Sequence, residues 1–277
     1  MTFFERLADR IAAVDSVVSV GLDPDPDRLP AAVREASLPR WAFNRRVIDA
    51  THEHVACVKP NAAFYEDPDG WRALRETVAY AHGKDLPVLL DAKRGDIGNT
   101  ARQYARSLDG DGLGVDAVTV NPYLGGGALD PFLAREDAGV FVLCRSSNPG
   151  GADLQNLELA AGERVCERVA RLAEGWNDAG NVGLVVGATA PEELRRVREL
   201  VPNLPFLVPG IGSQGGDAEA AIEYGLTTPE GLGRPVGLVN SSRGIIFAGE
   251  DAPDAYFEAA GEAAKRLKRR LNAVRDA

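Results

Sequence analysis

The chain has 277 residues, of which 45% are hydrophobic and 26% are charged, as in ordinary globular proteins. This composition excludes disordered, collagen-like and disulfide-rich proteins. The 31 Lys and Arg residues against 41 Asp and Glu residues give a formal net charge of −10. An acidic surface repels phosphates, so we expect no general nucleic-acid binding. A phosphorylated small substrate remains compatible with this charge, because an acidic protein can carry a local cationic pocket. The cations include only five lysines: Lys59, Lys84, Lys93, Lys265 and Lys268.

The cysteine count and the apolar runs indicate the cellular location. Cys57, Cys144 and Cys166 are widely spaced and form no disulfide framework or zinc-ribbon pattern. The chain does not open with a basic segment followed by an apolar stretch, and no run approaches the roughly 18 apolar residues of a membrane-spanning helix. We therefore expect a cytoplasmic protein without a membrane partner.

Eight short apolar runs alternate with longer helical patterns along the chain. The runs are rich in Val, Leu and Ile without polar alternation, which is typical of parallel strands buried on both faces. The predicted strands are residues 17–22, 57–60, 87–91, 117–120, 140–144, 182–186, 206–209 and 236–240. The predicted helices are residues 41–54, 68–82, 99–108, 128–134, 157–177, 191–200, 217–224 and 253–274, with an additional N-terminal helix over residues 2–14.

The alternation predicts the fold class. Eight strand–helix units in roughly 250 residues are typical of a (β/α)8 TIM barrel, here a single domain over residues 1–277. A doubly wound α/β sheet is the alternative, because the strand pattern alone does not show closure. The first strand ends in Gly21-Leu22-Asp23-Pro24 rather than Gly-x-Gly-x-x-Gly, which disfavours a dinucleotide-binding fold.

Polar residues cluster where the predicted strands end, which is where barrel enzymes carry their active sites. The densest cluster follows the third strand. Asp91 and Lys93 are two residues apart, so on an extended strand both side chains point to the same face. Together with Asp96, the carboxylates would keep the Lys93 ammonium charged and aimed, and a positioned ammonium can act as a general acid. A surface ion-pair cluster is the alternative interpretation.

Six motifs in order resemble one family. Asp91-x-Lys93-x-x-Asp96, followed by Ile97 and Thr100, is similar to the signature of the orotidine 5′-monophosphate decarboxylase family, although a wider superfamily of sugar-phosphate decarboxylases and aldolases shares it. The other five motifs narrow the resemblance to the second, bacterial and archaeal subfamily. They are Gly21-Leu22-Asp23-Pro24, Val58-Lys59-Pro60-Asn61, Ser147-Asn148-Pro149-Gly150, the Gly-rich segment 209–217 and Asn240-Ser241-Ser242-Arg243-Gly244-Ile245.

The resemblance implies decarboxylation of orotidine 5′-monophosphate to UMP and CO2 in pyrimidine biosynthesis, without a metal or organic cofactor. It implies that Lys93 stabilises and then protonates a carbanion at C6 of the pyrimidine, and that Asp91 lies beside the substrate carboxylate. Lys59 would pair with Asp91 and reach the ribose. Asp96 and Thr100 would be donated across the interface of a homodimer into the neighbour's site.

The resemblance also assigns the remaining substrate contacts. Asp23 would contact the ribose, Ser147 the pyrimidine edge, and Pro209 would form an apolar wall near the base. Gln214 would bridge the phosphate and the base. Arg243 would clamp the phosphate, because its planar guanidinium suits bidentate contact.

Two other functions stay open. A related superfamily lyase or aldolase would use Mg²⁺ held by an extra carboxylate, but the second strand ends in Lys59 rather than Glu. A non-catalytic phosphate or nucleotide sensor is disfavoured because the chain has both Lys59 and Lys93. Thr189, after the sixth strand, could belong to the site, but we expect it to be the N-cap of the helix that begins at Pro191.

Overall fold

The computed structural model describes residues 1–212 and 215–277, and its eight parallel strands form a barrel. The strands are β1 (Val18–Leu22), β2 (Cys57–Pro60), β3 (Leu89–Arg94), β4 (Ala117–Val120), β5 (Gly139–Arg145), β6 (Val182–Val186), β7 (Phe206–Pro209) and β8 (Leu238–Ser241). They follow the order β2-β1-β8-β7-β6-β5-β4-β3. Parallel bridges from Val58 to Val88 and from Asn61 to Asp91 join the two outer strands. The predicted TIM barrel is therefore confirmed, and the doubly wound alternative is wrong.

Helices surround the barrel, and most begin close to the residues that the sequence predicts. Pro68 and Pro191 occupy the first helical positions, where a missing N–H costs nothing and φ is already suitable. The α-helices are α1 (Phe3–Val14), α2 (Ala31–Arg34), α3 (Pro39–Thr51), α4 (Pro68–His82), α5 (Gly98–Ala105), α6 (Asp130–Leu133), α7 (Ala152–Gln155), α8 (Val165–Gly175), α9 (Pro191–Leu200), α10 (Ala218–Glu223), α11 (Arg243–Ile246) and α12 (Tyr256–Arg275). No helix in the described ranges has both the length and the apolarity needed to cross a membrane.

The helix predicted over residues 157–177 begins eight residues late, at Val165. The preceding segment pairs with itself, because Val165 N donates to Leu157 O at 3.0 Å and Leu159 N donates to Glu163 O at 2.8 Å. Gly162 makes this tight turn possible, since its φ of 82° lies in the left-handed region that favours glycine. Local hairpin hydrogen bonds therefore replace the first two turns of the predicted helix.

The additional N-terminal helix is confirmed and lies at the N-terminal end of the barrel. Thr2 and Glu5 form a capping box, in which Thr2 N donates to Glu5 Oε2 at 2.7 Å and Glu5 N donates to Thr2 Oγ1 at 3.3 Å. Phe3 and Phe4 pack edge-on against Phe141 of β5, with ring centroids 6.0 and 5.6 Å apart. This packing leaves the carboxyl ends of the strands available for a site.

An ion-pair cluster ties α1 and α4 to the bottom of the barrel. Asp116, just before β4, accepts hydrogen bonds from Val88 N at 2.9 Å, His82 Nε2 at 2.9 Å and Arg6 Nη2 at 3.2 Å. Burial works to raise the pKa of Asp116, but the hydrogen bonds from His82 and Val88 prevail and lower it. The same hydrogen bond raises the pKa of His82 above its ordinary value. The cluster therefore links folding to protonation of His82.

We predict a pH-dependent loss of stability in His82→Gln. Glutamine keeps a donor near Asp116 but cannot become charged. A raised folded-state pKa means that the His82 contribution is complete below the unfolded pKa of about 6.5 and disappears as the pH rises through the folded value. The side chain is 42% exposed, so the loss at about pH 5.5 should be below about 1 kcal/mol and should approach zero at about pH 8.5. Urea unfolding of both proteins at the two pH values measures it, and a pH-independent difference would contradict the linkage.

Candidate active site

Three charged side chains meet at the carboxyl ends of β2 and β3. Lys59 Nζ lies 2.9 Å from Asp91 Oδ2, and Lys93 Nζ lies 2.6 Å from Asp91 Oδ1. The Lys59 and Asp91 side chains are only 5% and 13% exposed, whereas that of Lys93 is 44% exposed. We call these residues the Lys59–Asp91–Lys93 triad. It presents one buried ammonium, one shared carboxylate and one ammonium that reaches the mouth of the barrel.

Asp91 and Lys93 of the triad lie in a bulge of β3. Leu90 pairs with Val118 of β4 and Arg94 with Val120, so β3 uses two more residues than its neighbour between these pairs. Within the bulge, Lys93 has a φ of 46°, in the left-handed region. The sequence predicts that Asp91 and Lys93 share a face because a regular strand alternates. The two side chains do meet, but on an irregular backbone rather than on the regular strand that the prediction assumes.

Thr119 in β4 holds the bulge. Its Oγ1 accepts a hydrogen bond from Lys93 N at 2.9 Å and donates one to Asp91 Oδ1 at 2.9 Å. Thr119 is not among the site residues predicted from the sequence. A usable signal exists, because Thr119 is the one hydroxyl residue in the otherwise apolar run Ala117–Val120.

The charges of the triad fix its protonation. Burial works to raise the pKa of Asp91, but the nearby ammonium groups of Lys59 and Lys93 prevail and hold it well below its ordinary range. Burial also works to lower the pKa of Lys59, but the carboxylates of Asp91 and Asp23 prevail and raise it. Asp91 and Lys59 are therefore both charged at neutral pH.

Asp23 follows β1 and lies close enough to Lys59 to influence its charge. Its Oδ1 atom is buried and has no hydrogen-bond partner among the residues described. The end of β1 beside Asp23 is held in place by Tyr65. Its Oη donates to Leu22 O at 2.9 Å and receives a hydrogen bond from Asn44 Nδ2 at 2.8 Å. Tyr65 and Asn44 are not among the residues predicted from the sequence, because they support the site without a motif of their own.

The ends of β7 and β8 lie side by side, with Pro209 in register with Asn240. Gly210 and Gly212 have φ values of 107° and 101°, which only glycine adopts readily. Arg243 begins α11 as an exposed residue, and within residues 1–212 and 215–277 its guanidinium forms no ion pair. Gln214, the other predicted phosphate contact, lies outside the described residues.

The loop after β5 carries Ser147, which is half-buried. Thr189 Oγ1 donates a hydrogen bond to Ser147 O at 2.8 Å. The prediction that Thr189 caps α9 is therefore wrong. The N-cap position is Ala190, which makes no side-chain cap, and the Thr189 hydroxyl bonds to a neighbouring loop instead.

Asp96 and Thr100 do not join the triad within their own chain. Asp96 Oδ1 accepts a hydrogen bond from Ile97 N at 2.8 Å, and Thr100 lies exposed in the first turn of α5. No ion pair joins Asp96 to Lys93 in the part of the chain that the structure describes. The side chain of Ile97 beside them is 66% exposed.

Comparison with known proteins identifies the family. A family model described as orotidine 5′-phosphate decarboxylase / HUMPS matches residues 16–256. The chain belongs to this family. It is 71% identical to the orotidine 5′-phosphate decarboxylase of Halorubrum lacusprofundi over 99% of the chain and 100% of that protein.

Solved structures of this family agree with the fold. The Leishmania donovani OMP decarboxylase is 42% identical, with a TM-score of 0.81 and 100% of both chains covered. The UMP synthase of the same organism is also 42% identical, with a TM-score of 0.84, and the chain spans 57% of its length. The family resemblance drawn from the six motifs is therefore confirmed.

We predict that Asp91→Ala destabilises the protein by about 3–5 kcal/mol, because it leaves the buried Lys59 ammonium without its hydrogen-bonded partner. The double variant Lys59→Met, Asp91→Ala should recover most of this loss, since it also removes the buried charge. Urea unfolding of the wild type, both single variants and the double variant measures the coupling. Additive losses would show that the buried pair is not coupled.

Proposed function

We propose that this protein decarboxylates orotidine 5′-monophosphate to UMP and CO2, in the synthesis of pyrimidine nucleotides. The observation that carries the proposal is the Lys59–Asp91–Lys93 triad, in a chain whose relatives are named for this reaction. The reaction breaks the bond between C6 and the carboxylate and leaves an electron pair on C6. An ammonium held at that carbon supplies both charge stabilisation and the proton.

Lys93 is the group that we assign to this carbon. Its ammonium is bound to Asp91 at 2.6 Å while its side chain stays 44% exposed, so it can face both Asp91 and a substrate. A fixed positive charge stabilises the carbanion more than it stabilises the neutral ring carbon of the bound substrate, and this difference lowers the barrier. The proton then moves from Lys93 Nζ to C6 and gives UMP. Asp91 would lie beside the departing carboxylate and hold Lys93 in place.

The ribose and the base would bind around the triad. Asp23 Oδ1, which is buried without a partner among the described residues, is an acceptor suited to a ribose hydroxyl, and Lys59 Nζ is a donor beside it. Ser147 would bind the pyrimidine edge, and Pro209 would form an apolar wall near the base. These contacts are at separate strand ends, so they fix the ring relative to Lys93.

The phosphate would bind where the ends of β7 and β8 meet. Arg243 is exposed and forms no ion pair within the described ranges, so its guanidinium fork can take a phosphate in bidentate fashion. The left-handed Gly210 and Gly212 allow the backbone to approach closely. Gln214, outside the described residues, keeps its proposed role of bridging phosphate and base.

The Mg²⁺-dependent sugar-phosphate lyase or aldolase is the less favoured alternative. A metal at this position needs a carboxylate with coordination sites available. Asp91 instead has hydrogen bonds from Lys59, Lys93 and Thr119 on its two oxygens. We propose that the reaction requires neither a metal nor an organic cofactor.

We also propose that the protein acts as a homodimer in which Asp96 and Thr100 enter the neighbour's site. Within its own chain, Asp96 does not reach Lys93, so a second copy could supply the missing carboxylate. The loops after the neighbouring strands β3 and β4 expose apolar side chains, with Ile97 66%, Leu124 52% and Tyr123 80% exposed. Such a patch suits a protein partner. A cytoplasmic location stays a prediction.

An absorbance assay with orotidine 5′-monophosphate tests the reaction. We expect the wild type to form UMP equally well with and without excess EDTA, and Lys93→Ala to lose at least about 10³-fold in kcat. Lys93 is exposed at the mouth, so the variant should keep the fold and bind UMP. An EDTA-sensitive reaction would favour the metal-dependent alternative, and near-wild-type turnover by Lys93→Ala would overturn the mechanism.

Mixing two inactive variants tests the shared site. A dimer of one Asp96→Ala chain and one Lys93→Ala chain contains one site with both an intact Lys93 and an intact partner Asp96. Random exchange makes half of the dimers hybrid, so we expect about a quarter of the wild-type activity, because each symmetric dimer has two sites. No recovery despite subunit exchange, verified with differently tagged chains, would contradict a shared site.

A further inference from the structure

Side chains hold both peptide groups that flank Ser147. The carbonyl of Ser146 accepts a hydrogen bond from Arg145 Nη1 at 2.6 Å. The carbonyl of Ser147 accepts one from Thr189 Oγ1 at 2.8 Å, across 42 residues of sequence. Since the two peptide planes set φ and ψ of Ser147, these hydrogen bonds fix the direction of its Cα–Cβ bond.

The network continues one residue back along the loop. Gln155 Oε1 accepts hydrogen bonds from Ser146 N at 2.9 Å and from Ser146 Oγ at 3.1 Å. Arg145 Nη1 also lies 3.4 Å from this Oε1 atom, and Arg145 Nη2 lies 4.0 Å from Glu193 Oε1 in α9. The Arg145 side chain is only 7% exposed, so this is a buried charge placed beside the loop. Three elements, β5, α7 and α9, therefore hold one short segment.

Close backbone packing restricts the same segment. A Cβ atom on Gly187 would lie 2.7 Å from Ser147 Cα, and one on Gly151 would lie 2.4 Å from Ser146 Oγ. Real Cβ contacts are not this short. A side chain at Gly187 would therefore push the backbone of Ser147, whereas one at Gly151 would displace the side-chain ends of Ser146, Arg145 and Gln155. Ser147 thus has fixed peptide planes on both sides and a backbone surface directly against it.

We propose that Thr189 is a positioning residue for pyrimidine recognition, with Arg145 and Gln155 acting in the same network. Thr189 acts through the Ser147 carbonyl and holds the Ser147 hydroxyl at the position where this hydroxyl meets the edge of the base. The inference rests on the proposed function, in which Ser147 contacts the pyrimidine. A preorganised hydroxyl binds the base without the ordering cost that a loose loop would have. Thr189 should therefore affect the affinity for ligands that contain the base and leave the affinity for ligands without the base unchanged.

Binding of UMP and of ribose 5-phosphate separates this role from a general structural one. We expect Thr189→Val, which removes the donor but keeps the shape, to weaken UMP about three- to tenfold, as for one lost hydrogen bond. Ribose 5-phosphate has no base, so its affinity should stay within about twofold, which also shows that the variant is folded. Thr189→Ser keeps the hydroxyl and should restore UMP binding.

Thr227→Val is the matched control. Thr227 Oγ1 also donates to a backbone carbonyl, that of Pro202 at 2.5 Å, but it lies near the start of β8, away from the strand ends that carry the site. The same chemical change there should leave both affinities unchanged. Equal weakening of both ligands by Thr189→Val would overturn the proposal, because it would indicate a general structural role.

A double-mutant cycle with Ser147→Ala completes the test. If Thr189 acts through Ser147, Thr189→Val should have no further effect on UMP affinity once the Ser147 hydroxyl is absent. Additive effects would overturn the inference alone. Unchanged UMP affinity in Ser147→Ala would overturn the base contact itself and the inference with it. Absence of decarboxylation by the wild type would count against the proposed function, while the binding cycle would still report on Thr189.

Discussion

The rest of the site depends on the ion pair between Lys59 and Asp91. Moving an ammonium into a barrel interior costs several kcal/mol unless a partner compensates its charge. Asp91 supplies that charge at 2.9 Å, and its other oxygen is then committed to Lys93 at 2.6 Å. The buried pair thereby fixes the carboxylate that orients the exposed ammonium. Changing any one of the three charges changes the surroundings of the other two.

A protein with a net charge of −10 can still place individual cations at its site. The triad sums to one positive charge, the Asp23 carboxylate near Lys59 balances it, and Arg243 adds a positive charge at the ends of β7 and β8. Salt screens exposed surface charges beyond a distance of about 8–10 Å, while buried charges are screened much less. The acidic surface therefore contributes little inside the barrel mouth, where the charges of the triad, Asp23 and Arg243 set the local field.

The barrel and the positions of the strand ends can be predicted from the sequence because both depend on local patterns. Apolar runs locate the strands, and the charges that follow them locate the site. Three features could not be obtained this way. The left-handed Lys93 depends on Thr119 in another strand, and Thr189 bonds to Ser147 rather than to its own helix. The segment before Val165 forms a hairpin where helical periodicity continues. In the first two cases a hydrogen bond from a distant segment decides the conformation, and in the third a local hairpin replaces the helix.

The bulge in β3 shows how such non-local contacts support a site. A left-handed backbone at a lysine costs of order 1–3 kcal/mol, which a regular strand would avoid. Two hydrogen bonds, from Lys93 N to Thr119 and from Lys93 Nζ to Asp91, contribute about 1 kcal/mol each or more and offset that cost. A regular strand would lack the bulge that places the Lys93 N–H against Thr119. The strained backbone at Lys93 is therefore maintained, because the buried Lys59 holds Asp91, the partner of Lys93 Nζ, in place.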